Sequence, residues 1–139
     1  MKRIINVLVV EDNDYYNDLL VKTLKAARIA PQPEQKCHVA INSFTDSLEC
    51  IRKIRAGTYD NSDIIAFIDY YMGDGITGSH IIRLLKKHYH YSHVIMLSQS
   101  KAVSGKECSS MHDFFVFKDA HAPALCRLYL EQFIENKIS

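Results

Sequence analysis

The stretch from Ile64 to Gly78, IIAFIDYYMGDGITG, constrains the fold of this chain more than any other. It begins with an apolar run, stops at the carboxylate of Asp69, and then continues into a segment rich in glycine. An apolar run of this length bounded by glycines is typical of a buried strand of a parallel sheet that ends in a loop. Ligands of such sheets bind at the carboxyl ends of the strands. The pattern therefore predicts that Asp69 lies where a ligand would be bound.

Other short apolar runs predict further strands, and segments with helical signals separate them. Strands that alternate with helices indicate parallel βαβ units, whose right-handed crossovers put helices on both faces of one sheet. We therefore predict a single α/β domain over residues 1–139, a doubly wound three-layer sandwich around a five-stranded parallel sheet. The expected strands are Ile4–Val10, His38–Phe44, Ile64–Asp69, His93–Ser98 and Phe114–Phe117.

Capping and breaking residues predict where the helices begin and end. The segment Lys101–Ser110 contains a glycine and several serines, so any helix there is expected to be short. Pro123 suits the first turn of a last helix, which we expect to cover Pro123–Asn136. The other predicted boundary residues are Asp14 as N-cap of the first helix, Pro31 and Pro33 at its end, Thr45 or Asp46 as N-cap of the second, Gly57 at its end, and Thr77 or Ser79 at the start of the third.

The composition argues against several classes of protein. The formal net charge of +1 gives no electrostatic reason to expect a nucleic-acid or membrane partner. The sequence has no run of about 18 apolar residues that could span a membrane. The apolar residues near the N-terminus lead directly into acidic residues without a signal-peptide cleavage site. The four cysteines are scattered and include no CxxC pair, so we expect them to be free thiols in a reducing cytoplasm. They are Cys37, Cys50, Cys108 and Cys126.

Polar and charged side chains stand where the predicted strands end. Glu11 and Asp12 follow the first strand, and Asp69 closes the third. Ser98 closes the fourth strand, and Lys118 follows the fifth. Three carboxylates brought together repel one another and have raised pKa values unless a cation neutralises them. Mg²⁺, or Mn²⁺ in its place, would supply that cation, the lysine suits a phosphoryl group, and an aspartate beside the ion can form an acyl phosphate.

This set of residues resembles the signature of response-regulator receiver domains, the CheY-like superfamily of two-component signalling. Each motif alone is weak, but their joint order, each at the end of its strand, is specific and covers nearly the whole chain. The resemblance implies a flavodoxin-like (βα)5 fold with strand order 2-1-3-4-5, in a cytoplasmic phosphoprotein of a phosphorelay. The motifs are Glu11-Asp12, Asp69 with Met72 three residues later, Ser98, and Phe115 three residues before Lys118.

The resemblance also implies a role for each residue of the acidic site. Asp69 corresponds to the phosphoacceptor, which takes a phosphoryl group from a sensor histidine kinase or a histidine phosphotransfer protein. Glu11 and Asp12 correspond to the acid pocket that binds Mg²⁺, with Asp12 as the direct ligand and Glu11 acting partly through water. The backbone carbonyl of Tyr71 completes the expected protein ligands. Such a domain is a switch that phosphorylates and dephosphorylates itself, not an enzyme with a separate substrate.

A second group of residues corresponds to the switch of the family. Ser98 stands where a hydroxyl moves to bond the phosphoryl oxygen, and Lys118 corresponds to the lysine that pairs with that group. Phe115 corresponds to the aromatic residue that turns inward as the hydroxyl moves. Phosphorylation would thus change a protein-interaction surface on the fourth and fifth strands and their helices, which a downstream target protein recognises.

Several positions depart from the family pattern. Gly73 and Asp119 each replace an expected proline, and the bond before the second of these is cis in the family. A cis bond before a residue other than proline costs about 3–4 kcal/mol, so either the site holds that strain or the bond is trans and Lys118 is placed differently. Gln99 stands where the family prefers a small residue. We hypothesise that Gln99 and the ring of Tyr71 shield the acyl phosphate and lengthen its lifetime.

The last predicted helix has an apolar face wider than packing on the sheet requires. Such a helix packs on the core alone or on the core and a partner, and the sequence leaves both open. We hypothesise that this helix and the fifth strand form a homodimer or target surface. The apolar residues are Leu125, Tyr129 and Phe133 on one face with Cys126 and Leu130, extended by Leu128 and Ile134.

One other function remains open from the sequence, whereas its residues argue against three more. A pseudo-receiver, an interaction module of this fold that no longer uses phosphate, is supported by Gly73, Gln99 and Asp119. A phosphatase of the haloacid-dehalogenase type needs a second aspartate two residues after the nucleophile, where this chain has Tyr71. A flavin site needs a phosphate-cradling loop after the first strand, where acidic residues would repel phosphate. The histidines of the segment HYHYSH match no zinc site. The sequence does not decide between a stand-alone protein and a domain of a longer chain.

Overall fold

Strands and helices alternate along the described part of the chain, as the apolar runs predict. The computed structural model describes residues 3–27, 37–73, 75–99 and 111–138. The continuous apolar runs form strands, and segments with apolar residues at helical spacing form the helices between them. The elements are β1 (Arg3–Val10), α1 (Asp14–Lys25), β2 (Cys37–Phe44), α2 (Ser47–Arg55), β3 (Asp63–Asp69), α3 (Gly78–His88), β4 (His93–Ser98), β5 (Phe114–Phe117) and α4 (Ala122–Ile138).

The strands form one sheet in the order β2-β1-β3-β4-β5, and every neighbouring pair is parallel. The register pairs Val10 with Ile68 and Asp69 with Leu97, so the central strands end level with one another. This is the doubly wound α/β fold that the sequence pattern predicts, with the flavodoxin-like strand order that the family resemblance implies. Because parallel strands all end at the same edge, the residues that follow β1, β3, β4 and β5 are brought together there.

Helices cover both faces of the sheet and divide the core into two clusters. Every residue of β3 after the first is buried, as expected for a central parallel strand with side chains pointing to both faces. Ile68 packs in the cluster under α2 and α3, whereas its neighbour Phe67 packs in the cluster under α1 and α4. Burial on both faces holds the end of β3, and with it Asp69, in a fixed position.

The helix boundaries differ from the prediction by one or a few residues. The prediction of Asp14 as the first N-cap is wrong, because the N-cap is Asn13. The extended backbone of Asn13 lets its side chain accept a hydrogen bond from the Tyr16 N–H at 2.8 Å. Helix α1 ends at Lys25, and the prolines predicted to end it lie outside the described residues. Of the alternatives left open, the structure selects Asp46 as N-cap of α2 and Thr77 as N-cap of α3.

The last helix is longer than predicted and presents apolar residues on more than one side. It begins one residue before Pro123 and continues to Ile138. Residues four apart share one face of a helix, and one such stripe is buried against the sheet. The buried stripe is Ala122, Cys126, Leu130 and Ile134, the half-buried residues beside it are Tyr129 and Phe133, and the exposed ones are Leu125 and Leu128.

Some predictions fall on residues that the structure does not describe, namely the short helix at Lys101–Ser110 and the thiol of Cys108. The described cysteines are buried and form no disulfide with one another, which agrees with the prediction; they are Cys37, Cys50 and Cys126. Among the described helices, none has the length and apolar character needed to cross a membrane.

Candidate functional site

Three carboxylates meet at the carboxyl edge of the sheet. Glu11 and Asp12 follow β1, and Asp69 ends β3, which is the neighbouring strand. One oxygen from each carboxylate lies within 4.8 Å of the others. Glu11 and Asp69 are buried, whereas Asp12 is exposed at the mouth of the site. The structure thus brings together the three acids that the sequence predicts as a metal-binding pocket.

The ammonium group of Lys118 enters the same site from the end of β5. Its Nζ lies 2.6 Å from Glu11 Oε1 and 3.5 Å from Asp69 Oδ1, and the lysine side chain is only 8% exposed. The backbone N–H of Lys118 donates to the Ser98 carbonyl at 2.9 Å, which fixes the end of β5 to the end of β4. The peptide bond to Asp119 is trans. The lysine therefore reaches the acids without the cis bond that the family pattern would supply.

The electrostatics of the site favour a divalent cation. Burial, and next the charge of Glu11, raise the pKa of Asp69 from 3.8 to about 7, while the Lys118 ammonium acts in the opposite direction. When all three acids are ionised, one ammonium leaves two negative charges uncompensated, and one Mg²⁺ would balance both. Carboxylate oxygens are ligands that Mg²⁺ prefers. The donor set therefore fits the ion that the sequence predicts.

Glycines allow the loop after β3 to pack closely around Asp69. A Cβ on Gly78 would lie 2.4 Å from the Asp69 carbonyl oxygen, so only glycine fits at the start of α3. The Gly78 N–H donates to the Tyr70 carbonyl at 2.6 Å. On the other side of the site, the Gly73 N–H donates to Asp12 Oδ2 at 2.7 Å. The glycine segment is therefore a built part of the site and holds Asp12 in place.

Two asparagines that the sequence analysis missed support the acids of β1. The Asn13 N–H donates to Glu11 Oε2 at 3.1 Å, so the N-cap residue of α1 also orients this carboxylate. The buried Asn17 side chain donates to the Glu11 carbonyl at 3.0 Å and to the Phe44 carbonyl at 3.1 Å, which joins the ends of β1 and β2. The sequence signal for Asn13 was available, because asparagine is among the most favoured N-cap residues.

A cleft of about 200 Å³ opens above the acids. Tyr71 is 54% exposed at its rim, and its ring stands perpendicular to that of Tyr70 with the centroids 4.7 Å apart. Gln99 is exposed at the end of β4. The residues that line the cleft are Glu11, Asp12, Asn13, Asp69, Tyr71, Gln99 and Lys118. The structure thus brings both predicted lifetime-tuning residues to the mouth of the site.

The two predicted switch residues lie on neighbouring strands. Ser98 is fully buried at the end of β4, one strand away from Asp69. Phe115 pairs with Met96 in the sheet and packs, half-buried, against the core cluster under α2 and α3. The arrangement is compatible with a switch on β4 and β5, and the role of each residue stays a prediction.

Another aromatic residue, Tyr16, also lies at the site, although no sequence pattern assigns it there. Its ring centroid lies 4.3 Å from Lys118 Nζ. Burial, together with nearby acidic groups that include Glu11 and Asp69, raises the pKa of Tyr16 to about 12. Helical spacing with Leu20 and Leu24 predicts only that Tyr16 lies on the apolar face of α1, and no local pattern indicates that this face contacts a lysine so distant in the sequence.

Comparison with known proteins supports the fold through structure and not through sequence. No protein-family model matches the sequence, and no curated protein matches it either. The structure, in contrast, matches 103 chains of solved structures. One is the response regulator TrrA of Thermotoga maritima in complex with Mg²⁺–BeF, which is 23% identical with a TM-score of 0.67, covering 94% of this chain and 97% of that chain.

Two further matches are similar in extent. A CheY-like receiver domain protein of Methanospirillum hungatei is 17% identical with a TM-score of 0.66, covering 99% of this chain and 97% of that chain. A chain of the CheX–CheY–BeF3–Mg²⁺ complex of Borrelia burgdorferi is 21% identical with a TM-score of 0.63, covering 91% of this chain and 87% of that chain. At these identities the likeness concerns the fold, which is that of CheY-like receiver domains.

Proposed function

We propose that this chain is a response-regulator receiver domain that accepts a phosphoryl group on Asp69 in a Mg²⁺-dependent reaction. The main support for the proposal is that Glu11, Asp12 and Asp69 lie together at one edge of a receiver-type sheet. Lys118 Nζ lies 3.5 Å from Asp69 Oδ1 at the same edge. Packing alone gives no reason to gather three carboxylates there, because their mutual repulsion destabilises the fold.

The metal ligands in this proposal are the carboxylates of Glu11, Asp12 and Asp69 with the backbone carbonyl of Tyr71. When bound, Mg²⁺, or Mn²⁺ in its place, neutralises the excess negative charge and binds a phosphoryl oxygen. The hydrogen bond from the Gly73 N–H keeps the exposed Asp12 carboxylate turned toward the site. The remaining chemistry belongs to the side chains of the chain itself.

The proposed reaction transfers the phosphoryl group from a phosphohistidine of a kinase or phosphotransfer protein. The ionised Asp69 carboxylate attacks the phosphorus, and an O–P bond forms as the P–N bond breaks. The electron pair of the broken bond stays on the imidazole of the donor. The product is an acyl phosphate on Asp69, whose charge the Lys118 ammonium is close enough to balance. We propose a switch of this kind rather than an enzyme that turns over a separate substrate.

The proposed output is a change in the surface formed by β4, β5 and α4. The Ser98 hydroxyl would bond the phosphoryl group, and Phe115 would turn as that hydroxyl moves. The exposed side chains of Phe114, Leu125 and Leu128 give this side of the molecule an apolar surface suited to a protein target or to a second copy of the chain. A target protein or a homodimer is the partner we propose for it.

The lifetime of the acyl phosphate depends, in this proposal, on Tyr71 and Gln99. Both side chains lie at the cleft through which a hydrolytic water must approach Asp69. A bulky ring at Tyr71 and a long amide at Gln99 leave less room for that water than small residues would. We therefore propose a slow loss of the phosphoryl group.

The test is phosphorylation by a small donor. The purified chain is incubated with Mg²⁺ and acetyl phosphate, and intact-protein mass is measured at low pH. We expect one acid-stable, base-labile phosphoryl group, which Asp69→Ala removes and the matched control Asp18→Ala, an exposed acid paired with Lys22, retains. Absence of the adduct on the wild type, together with no binding of beryllofluoride and Mg²⁺, would refute the proposal.

One observation favours a second candidate, the phosphate-independent pseudo-receiver. The buried ion pair between Lys118 and Glu11, at 2.6 Å, already neutralises one acid of the proposed metal set. If the chain is a pseudo-receiver, the charged residues of the site only stabilise the fold, and the chain acts as an interaction module. The two candidates differ in Mg²⁺ binding: a receiver gains thermal stability from Mg²⁺ through Asp12 and Asp69, whereas a pseudo-receiver does not.

A further inference from the structure

The aromatic ring of Tyr16 lies directly against the ammonium group of Lys118. The distance from Lys118 Nζ to the ring centroid is 4.3 Å. The same nitrogen is 2.6 Å from Glu11 Oε1 and 3.5 Å from Asp69 Oδ1. A cation over the face of an aromatic ring is attracted by the ring quadrupole, most strongly where water is excluded. Two carboxylates and one aromatic face therefore surround the ammonium group.

The start of α1 holds this ring in a defined place. The Tyr16 N–H donates to the side chain of the N-cap Asn13, and the ring packs against the core cluster under α1 and α4. A lysine side chain, in contrast, has a flexible four-carbon stem and many conformations in water. A rigid ring beside the stem removes those conformations in which the ammonium group leaves the acids.

We propose that Tyr16 is a positioning residue that holds the ammonium group of Lys118 beside Asp69, ready to balance the charge of an incoming phosphoryl group. The inference rests on the proposed phosphoacceptor function and adds to it a residue that acts through the lysine, not as a ligand of the metal or of the phosphoryl group. Without the ring, only the ion pairs with Glu11 and Asp69 would hold the ammonium group, and the lysine stem would gain room to turn toward solvent. Phosphoryl uptake would then become slower, because charge balance would have to be assembled during the reaction.

The Tyr16 hydroxyl makes it possible to separate the ring from the rest of the side chain. This hydroxyl is buried and has no hydrogen-bond partner among the residues that the structure describes. The change Tyr16→Phe therefore keeps the aromatic face and breaks no hydrogen bond. The change Tyr16→Leu keeps an apolar side chain and removes the aromatic face. Tyr15, the adjacent tyrosine, is 77% exposed, so Tyr15→Leu is a matched control for the same substitution in the same turn.

The first measurement is the rate of phosphoryl uptake from acetyl phosphate with Mg²⁺. We expect Tyr16→Phe and Tyr15→Leu to react within about two-fold of the wild type, and Tyr16→Leu to react about ten-fold more slowly. In a Lys118→Met background, Tyr16→Leu should cause no further slowing, because the ring acts through the lysine. Equal slowing in both backgrounds, or a Tyr16→Leu rate within two-fold of the wild type, would overturn the proposal. If Tyr16→Leu does not fold, Tyr16→Met gives the same comparison.

The second measurement does not depend on phosphorylation. In the wild type and in Tyr16→Phe, the methylene protons next to Lys118 Nζ should show an upfield ring-current shift in NMR spectra. Tyr16→Leu should lose that shift, and Tyr15→Leu should keep it. Absence of the shift in the wild type would overturn the positioning role even if Asp69 is phosphorylated. A wild type that shows the shift but never accepts a phosphoryl group would refute the proposed function and leave the contact between ring and lysine established.

Discussion

The raised pKa of Asp69 predicts that the metal-free domain loses stability as pH rises from about 4 to about 7. Asp69 is 6% exposed, and burial and the charge of Glu11 raise its pKa from 3.8 to about 7. Between these two values the unfolded chain has released a proton that the folded chain still binds. The free energy of unfolding therefore falls with rising pH across this window. The full change of the pKa from 3.8 to about 7 corresponds to a decrease of at most about 4 kcal/mol in the free energy of unfolding.

The substitution Asp69→Asn isolates this contribution. The amide does not titrate and does not repel Glu11, so the variant should lack that part of the pH dependence and be more stable than the wild type near pH 8. The loss of one partner of Lys118 offsets part of the gain. The assay is urea denaturation with EDTA at about pH 4, 6 and 8, where the free energy of unfolding is compared between the two proteins.

The control for this experiment is Asp18→Asn, which changes an exposed acid paired with Lys22 and should leave the pH dependence of the wild type intact. Addition of Mg²⁺ near pH 8 should stabilise the wild type and the control more than Asp69→Asn, because the variant has lost one charged ligand. If Asp69→Asn shows the same change of stability with pH as the wild type, the assignment of the raised pKa to this buried carboxylate is wrong.

Three further substitutions test other parts of the account. Gly78→Ala should destabilise the domain by about 1–3 kcal/mol in denaturation experiments and slow phosphorylation, because its Cβ would displace the Asp69 backbone. A variant as stable and as active as the wild type would contradict the close packing. Tyr71→Asn should speed loss of the phosphoryl group, followed by the decay of the phosphorylated mass, and an unchanged rate would refute shielding by the ring. Leu128→Glu should weaken any dimer formed with beryllofluoride and Mg²⁺ in sedimentation experiments, and a wild type that stays monomeric at every concentration would refute dimerisation.

The sheet and its acidic edge could be predicted from the sequence because their signals are local. Continuous apolar runs identify central strands, and the bounds predicted for β4 and β5 agree with the structure. The residues directly after such a run must lie at the edge of the sheet, and the strand order implied by the resemblance then brings Glu11, Asp12 and Asp69 together there. The position of Lys118 beside these acids was predicted by the same reasoning. The sequence did not predict that the peptide bond after Lys118 is trans.

Features that depend on side-chain packing between distant segments could not be predicted in this way. The position of Tyr16 on an apolar helical face gives no indication that its ring meets Lys118, because that contact depends on how α1 and β5 lie against each other. Helix α4 has more apolar residues than the core can bury, so only the packing against the sheet decides that Cys126 and Leu130 are buried while Leu128 is exposed. The N-cap of α1 was missed by one residue because neighbouring asparagine and aspartate are both good caps.

If Asp69 forms an acyl phosphate, the position of the phosphoryl group can be located chemically. After incubation with acetyl phosphate and Mg²⁺, borohydride reduction converts a phosphorylated aspartate to homoserine, which peptide mass spectrometry can assign to a position. We predict homoserine at position 69, formed only when Mg²⁺ is present. Homoserine at another acid, or an unmodified Asp69 under conditions where the protein is phosphorylated, would contradict the account.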